Sequence, residues 1–181
     1  MYVNVRAIIE GGDAADPRIL IQTRTKPGEG RRCLELPGGR LEEYESMLEG
    51  LKREVLEETG LTVTAIEGLD DKLDTDAGET NVECLRPFAV YQTTKGPVDS
   101  MGVYFRCRAE GDLLQEGDDT AEIRWIGLAE LEELASRQPD AFCWVDRAGV
   151  LFYLAHRRQE LSAGGSVNDT GWRRGGPANT H

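Results

Sequence analysis

The segment Leu36 to Leu61, LPGGRLEEYESMLEGLKREVLEETGL, restricts the fold more than any other stretch of this 181-residue chain. Its apolar residues Met47, Leu48, Leu51, Val55 and Leu56 recur at spacings of one, three and four, which predicts an amphipathic helix from about Ser46 to Thr59. Gly60 stands where such a helix closes, because glycine takes the left-handed conformation without a side-chain penalty. On the same helix Glu54, Glu57 and Glu58 fall at i, i+3 and i+4, so their carboxylates gather within one turn. Each like-charge pair costs roughly 0.2 to 0.5 kcal/mol. Glu57 and Glu58 also sit at the helix end, where the dipole disfavours anions. Glu42, Glu43 and Glu45 lie near the helix start, where negative charge is favourable, and need no functional explanation.

A divalent cation removes the objection to that cluster. Grouped carboxylate oxygens, with a backbone carbonyl and water, suit Mg2+ or Mn2+. Zinc is a poorer match for a chain with two histidines and no cysteine cluster. The competing reading is a solvated acidic face, the usual condition of charge runs.

The rest of the chain reads as strands and helices in alternation. Tyr2 to Ile9 and Arg18 to Thr23 are β-branched segments separated by EGGDAADP, hence two strands joined by a turn. LTVTAI after Gly60 is a further strand, and DDKLDTDAGETNVEC is acidic, breaker-rich loop. RPFAVYQT and GVYFRCRAE flank TKGPVDSM as a hairpin with a longer loop. EIRWIGL is a strand, AELEELASRQ a short amphipathic helix before Pro139, and Val150 to Leu161 a final helix. The pattern predicts an α/β fold with a mixed sheet rather than an all-parallel one. One domain is expected over 1–161, with a Gly-rich, flexible tail over 162–181.

The net charge of −12 opposes attraction to polyanions, so neither a nucleic-acid polymer nor an anionic membrane is an expected partner. No stretch approaches the length of a membrane span, and no basic region precedes an apolar run at the start. Cys33, Cys84, Cys107 and Cys143 lie far apart without a CxxC, which reads as unpaired thiols in a reducing compartment and a cytoplasmic location.

From Gly39 the segment runs as five residues, Glu45, seven residues, Arg53-Glu54-Val55, Leu56, Glu57-Glu58, Thr59, Gly60-Leu61. It thereby resembles the Nudix box, G-x5-E-x7-R-E-U-x-E-E-x-G-U with U apolar, at every specified position. LELPGG before it and EIRWIGLAELEEL after it look like the usual Nudix context, extending the resemblance weakly over Tyr2 to Leu134. The resemblance implies a Nudix-type α/β/α sandwich with a mixed β-sheet, and hydrolysis of a nucleoside diphosphate linked to another moiety. It assigns Glu54, Glu57 and Glu58 as metal ligands for Mg2+ or Mn2+, with the Gly38 carbonyl completing the site. Arg53 would orient these glutamates, and Glu45 would support the loop and helix. Glu54, Arg53 and Glu57 are thus the expected catalytic residues.

A general base must take a proton from the attacking water. Glu54 is one candidate; Glu116, Asp118, Asp119 and Glu122 in QEGDDTAEIRW are the others, and the sequence does not choose. Arg24, Lys26, Arg31 and Arg32 form a basic patch that could grip phosphates, against a reading as solvated loop. Tyr91, Tyr104, Trp125, Phe142 and Trp144 read as core at strand spacing rather than as base-stacking residues. The SQPWPFPxS array associated with NADH hydrolysis is absent. The first proline after the box is Pro87 and the first tyrosine Tyr91, too late for the positions typical of many ADP-ribose and dinucleoside polyphosphate hydrolases. The expected partner is therefore a nucleotide-like small molecule, and a homodimer stays an open assembly. The alternatives are a non-catalytic nucleotide-binding regulatory Nudix domain and, third, an isoprenoid diphosphate isomerase.

Overall fold

The computed structural model describes residues 1–26 and 32–162. Among these described residues ten strands are formed: β1 (Tyr2–Gly12), β2 (Pro17–Arg24), β3 (Leu34–Glu35), β4 (Thr62–Ile66), β5 (Leu73–Asp74), β6 (Glu83–Cys84), β7 (Ala89–Gln92), β8 (Ser100–Glu110), β9 (Glu116–Gly117) and β10 (Thr120–Gly127). Three α-helices, α1 (Met47–Thr59), α2 (Leu128–Arg137) and α3 (Trp144–Ser162), pack against them. The main sheet runs β4-β8-β1-β2-β10-β9, with β3 on β2 and β7 on β8. It is mixed: β1 pairs with β8 in parallel and with β2 antiparallel.

Alternation along the strands sends side chains to two cores. Val5, Ala7, Ile9, Leu20, Val103 and Phe105 meet Leu48, Leu51 and Val55 of α1 on one face. Ile8, Ile19, Ile21, Tyr104 and Ile126 meet Leu131 of α2 and Val150, Tyr153 and Leu154 of α3 on the other. The result is an α/β/α sandwich, as the resemblance implied.

The edge of β1 positions the segment that opens the box. Val5 donates to the Gly39 carbonyl, Ala7 to that of Pro37, and Leu41 donates to the Val3 carbonyl, at 2.9, 2.7 and 3.0 Å. Ser46 caps α1 by accepting from the Glu49 amide while the Glu49 carboxylate accepts from the Ser46 amide. Glu49 is therefore part of a capping box, a role the Ser-x-x-Glu spacing carries in the sequence. Gly60 closes the helix at φ 79°.

Several boundaries differ from the sequence expectation. The acidic loop after β4 contains the two-residue pair β5 and β6, too short for periodicity to reveal. Helix α3 begins six residues before Val150, because Asp146 and Gly149 interrupt the apolar pattern. Both are explained by contacts: Asp146 accepts a hydrogen bond from the Leu36 amide, and Gly149 lies against Tyr104. Of the tail expected over 162–181, Ser162 ends α3 and the remainder lies outside the described residues.

A Cβ at Gly149 would stand 2.4 Å from the Tyr104 ring. In a helix interior, Gly→Ala gains up to about 1 kcal/mol of propensity. Overpacking a buried contact costs about 1–3 kcal/mol. The clash should win, and Gly149→Ala should lower the urea midpoint; a raised midpoint would contradict this packing of α3 on β8.

Candidate active site

One guanidinium organises the start of the site. Arg53 Nη1 donates to Glu54 Oε1 at 2.9 Å and to Glu57 Oε2 at 3.1 Å. Its Nε and Nη2 clamp Glu45 at 2.7 and 3.0 Å, and Nη2 also reaches the Arg40 carbonyl at 3.3 Å. The cation thus offsets the repulsion between two box glutamates and ties them to the preceding loop. Hydrogen bonding to Arg53 holds the Glu45 carboxyl below the usual carboxylate range.

Glu58 faces elsewhere. It is only 7% exposed, and its Oε2 accepts from the Gly38 amide at 2.7 Å and from Gln22 Nε2 at 2.8 Å. Burial pushes its carboxyl up to about 8, against the opposing attraction of Arg6. Burial also raises Glu54, opposed by Arg53. Gly38 adopts φ 135°, and a Cβ there would lie 2.2 Å from the Val5 carbonyl oxygen, so only glycine fits. Its amide serves Glu58 while its carbonyl accepts from the buried Arg6. At Gly39 a Cβ would meet the Glu54 carboxyl at 2.5 Å. The structure therefore gathers Glu54 and Glu57 around Arg53 and turns Glu58 toward Gly38 and Gln22.

A cleft of about 540 Å3 has Arg6 and Glu35 in its wall, while Glu54, Glu57 and Glu58 do not line it. Arg6, Arg24, Lys26 and Arg40 bring positive charge to its lining, Glu35 and Asp146 bring carboxylates, and Tyr2, Tyr91 and Trp144 bring rings. The Arg40 guanidinium sits 4.0 Å from the centre of the Tyr2 ring. Arg6 joins cleft to loop: it pairs with Asp146 at 3.5 Å and donates to the Leu36 and Gly38 carbonyls. Gln22 Nε2 spans Glu58 and Glu35, the latter at 3.3 Å. Burial, then the neighbouring Asp146, pushes Glu35 up to about 7.

Arg6, Gln22, Glu35, Arg40 and Asp146 were missed by sequence reasoning, although two signals existed. Arg6 interrupts VNVRAII and Gln22 interrupts ILIQT, polar residues inside strands otherwise destined for the core. Of the aromatic residues, Tyr104 and Phe142 are core as expected. Tyr91 packs against the core and also lines the cleft, whereas Trp144, 44% exposed, lines the cleft because α3 starts early enough to present it.

The basic loop is partly engaged. Arg24 pairs with Glu35 at 3.4 Å, Lys26 with Asp119 at 3.9 Å and Arg32 with Glu122 at 3.1 Å. Arg31 lies outside the described residues. Glu122 also accepts from Thr23 at 2.7 Å. The turn carrying Asp118 and Asp119 packs near the end of α1, since Thr120 donates to the Glu58 carbonyl at 3.3 Å. Gly117 is pressed against the same carbonyl, and Glu116 beside it lines a second depression with Arg24 and Arg32.

The reading of all four cysteines as unpaired thiols is overturned. Cys33 and Cys143, 110 residues apart, form a disulfide with Cα atoms 5.2 Å apart; Cys84 and Cys107 are free. Sequence spacing hid the pairing because a bridge between Leu34 and Phe142 and a 2.8 Å bond from the Cys143 amide to the Leu34 carbonyl create the proximity. The thiol argument for a reducing compartment falls with it. Donor atoms of Glu35, Cys143 and Asp146 lie within 4.8 Å of one another. That trio is a poor cation site, since the sulfur is in the disulfide and the carboxylates are engaged by Arg24 and Arg6. Glu54, Glu57 and Glu58 offer the hard oxygens that suit a divalent cation, although in this structure Glu58 is turned away from the other two onto Gly38 and Gln22.

The sign of the pH effect follows. Glu58 binds a proton more tightly folded than unfolded, so in metal-free protein it stabilises below its unfolded pKa, and that stability is lost as pH rises through about 8. Glu35 acts in the same direction up to about 7. Glu58→Gln should therefore gain thermal stability over the wild type as pH rises across this window with EDTA present. A difference independent of pH would contradict the burial of an ionisable Glu58.

Comparison with known proteins agrees with this fold. A family model described as NUDIX domain matches residues 2–147. No curated protein matches the chain. A NUDIX hydrolase from Nitrosomonas europaea is similar with TM-score 0.61 and 22% identity, covering 87% of this chain and 72% of that one. The E. coli ORF135 protein gives TM-score 0.51 and 19% identity, covering 93% and 95%. A MutT/nudix family protein from Enterococcus faecalis gives 0.52 and 21%, and there the match covers 70% of this chain but only 43% of that one. At these identities the neighbours speak for the fold, while the domain match spans most of the sequence and includes the whole box. The chain belongs to the Nudix hydrolase family.

Proposed function

We propose that this chain is a Mg2+- or Mn2+-dependent pyrophosphohydrolase that cleaves a nucleoside diphosphate linked to another moiety, a nucleotide or nucleotide-sugar. The observation that carries the reading is the continuity between box and cleft: Gln22 and Arg6 connect Glu58 and Gly38 to a cavity holding four cationic side chains and three aromatic rings. Cations recognise phosphate oxygens, and rings stack on a base or sugar.

Glu54, Glu57 and Glu58 would hold the metal, with the Gly38 carbonyl as a further donor. When bound, the metal would neutralise phosphoryl oxygens and acidify a water. Arg53 keeps Glu54 and Glu57 facing the same way, and Gln22 orients Glu58. The Gly38 carbonyl also accepts from Arg6, which pairs with Asp146. As base, Glu54 stands beside the downstream acids. Asp119 and Glu122 are engaged by Lys26 and Arg32, which favours Glu116 or Asp118 among those four. The proposal further takes 1–161 as the hydrolase domain, a cytoplasmic location, and no nucleic-acid or membrane partner. Among the described residues no helix is long and apolar enough to cross a membrane. A homodimer is the assembly to test by sedimentation.

The test is a panel of nucleoside triphosphates, dinucleotides, ADP-ribose and nucleotide-sugars with Mg2+ or Mn2+. At least one should be hydrolysed, and Glu57→Gln should lower kcat by about a hundredfold or more without loss of fold. Tight binding with no product from any compound would favour a regulatory nucleotide-binding domain, and wild-type turnover by Glu57→Gln would sink the ligand assignment.

A further inference from the structure

The disulfide is in the wall of the cleft. Cys33 and Cys143 both line it, together with Arg24, Glu35, Trp144, Val145 and Asp146. We propose that Cys33 and Cys143 form a reversible thiol–disulfide site whose oxidised state tightens the cleft's hold on its nucleotide-like ligand. The effect on ligand rests on the reading of the cleft as the substrate site; the site itself does not.

The bond joins the residue before β3, the strand that leads into the box, to the residue before α3. Cys143 precedes the three α3 residues of the cleft wall, so fixing it restricts Trp144 and places Asp146, the partner of Arg6 and of the Leu36 amide. Without the bond, the 2.8 Å hydrogen bond from Cys143 to Leu34 and that of Tyr104 Oη to the Val145 carbonyl at 2.5 Å still hold α3 in place. Reduction therefore loosens the wall rather than unfolding the domain. Pre-organised walls bind more tightly because less freedom is lost on association.

Access favours one direction of attack. Cys143 is 8% exposed while Cys33 is half-buried at the cleft wall. A thiolate of a dithiol reductant attacks the Cys33 sulfur, the Cys33–Cys143 bond breaks, and Cys143 leaves as thiolate and takes a proton. The second thiol of the reductant then displaces Cys33 from the mixed disulfide. The pair ends as two thiols, with the reductant oxidised to its own disulfide.

Full-length protein is compared before and after dithiothreitol. Alkylation under denaturing conditions with N-ethylmaleimide should mark Cys84 and Cys107 alone before reduction and all four cysteines after it. Calorimetry with ADP and Mg2+ should show Kd rising about threefold or more on reduction and returning on reoxidation with diamide. Cys33→Ser/Cys143→Ser should bind like the reduced protein and ignore dithiothreitol. Alkylation of all four cysteines without reduction overturns the site, and a Kd that reduction leaves unchanged overturns its effect on the ligand. Equal binding in both states refutes only this inference, whereas no ADP binding in either state refutes the nucleotide reading as well. Because reduction of the wild type makes the comparison within one sequence, misfolding of the serine variant leaves the test intact.

Discussion

The carboxylates of α1 repel one another, and the arrangement around them follows from how that repulsion is contained. Arg53 holds Glu45, Glu54 and Glu57 at once, while Glu58 is withdrawn from water onto the Gly38 amide and Gln22. Neither device would suit a helix selected for stability alone. A buried carboxyl forced up to about 8 is a standing penalty at higher pH, which a cation bound there would offset.

The sheet supplies the rigidity this requires. Strand β1 is paired with β8, with β2 and, through Pro37 to Leu41, with the segment entering the box. Its alternation also assigns the two sides: Val5, Ala7 and Ile9 support α1, while Arg6 reaches Asp146 at the cleft. A single strand therefore couples the carboxylate helix to the cavity. The separate cluster around Arg106, which binds Glu10, Glu67 and Glu160, anchors α3 to the sheet away from this site.

What was legible in the sequence was local. The box lies within one segment, so the carboxylate cluster of Glu54, Glu57 and Glu58 and the helix bounds could be read from spacing, the part of Arg53 from the resemblance, and the mixed sheet from strand patterns. The cleft was not legible, because Tyr2 and Arg6 come from β1, Arg24 from β2, Glu35 from β3 and Asp146 from α3, and only strand pairing brings them together. The disulfide was lost for the same reason. Arg6 and Gln22 were the exceptions that could have been caught, as polar interruptions of apolar strands that demanded buried partners.

Mn2+ titration by calorimetry at pH 7, in buffers of different ionisation enthalpy, tests the central claim that the box glutamates form a cation site. With Glu58 held mostly protonated before binding, metal entry should release close to one proton in the wild type and markedly less in Glu58→Gln, which should also bind more weakly. Binding of equal affinity and equal proton release in the two proteins would contradict the account.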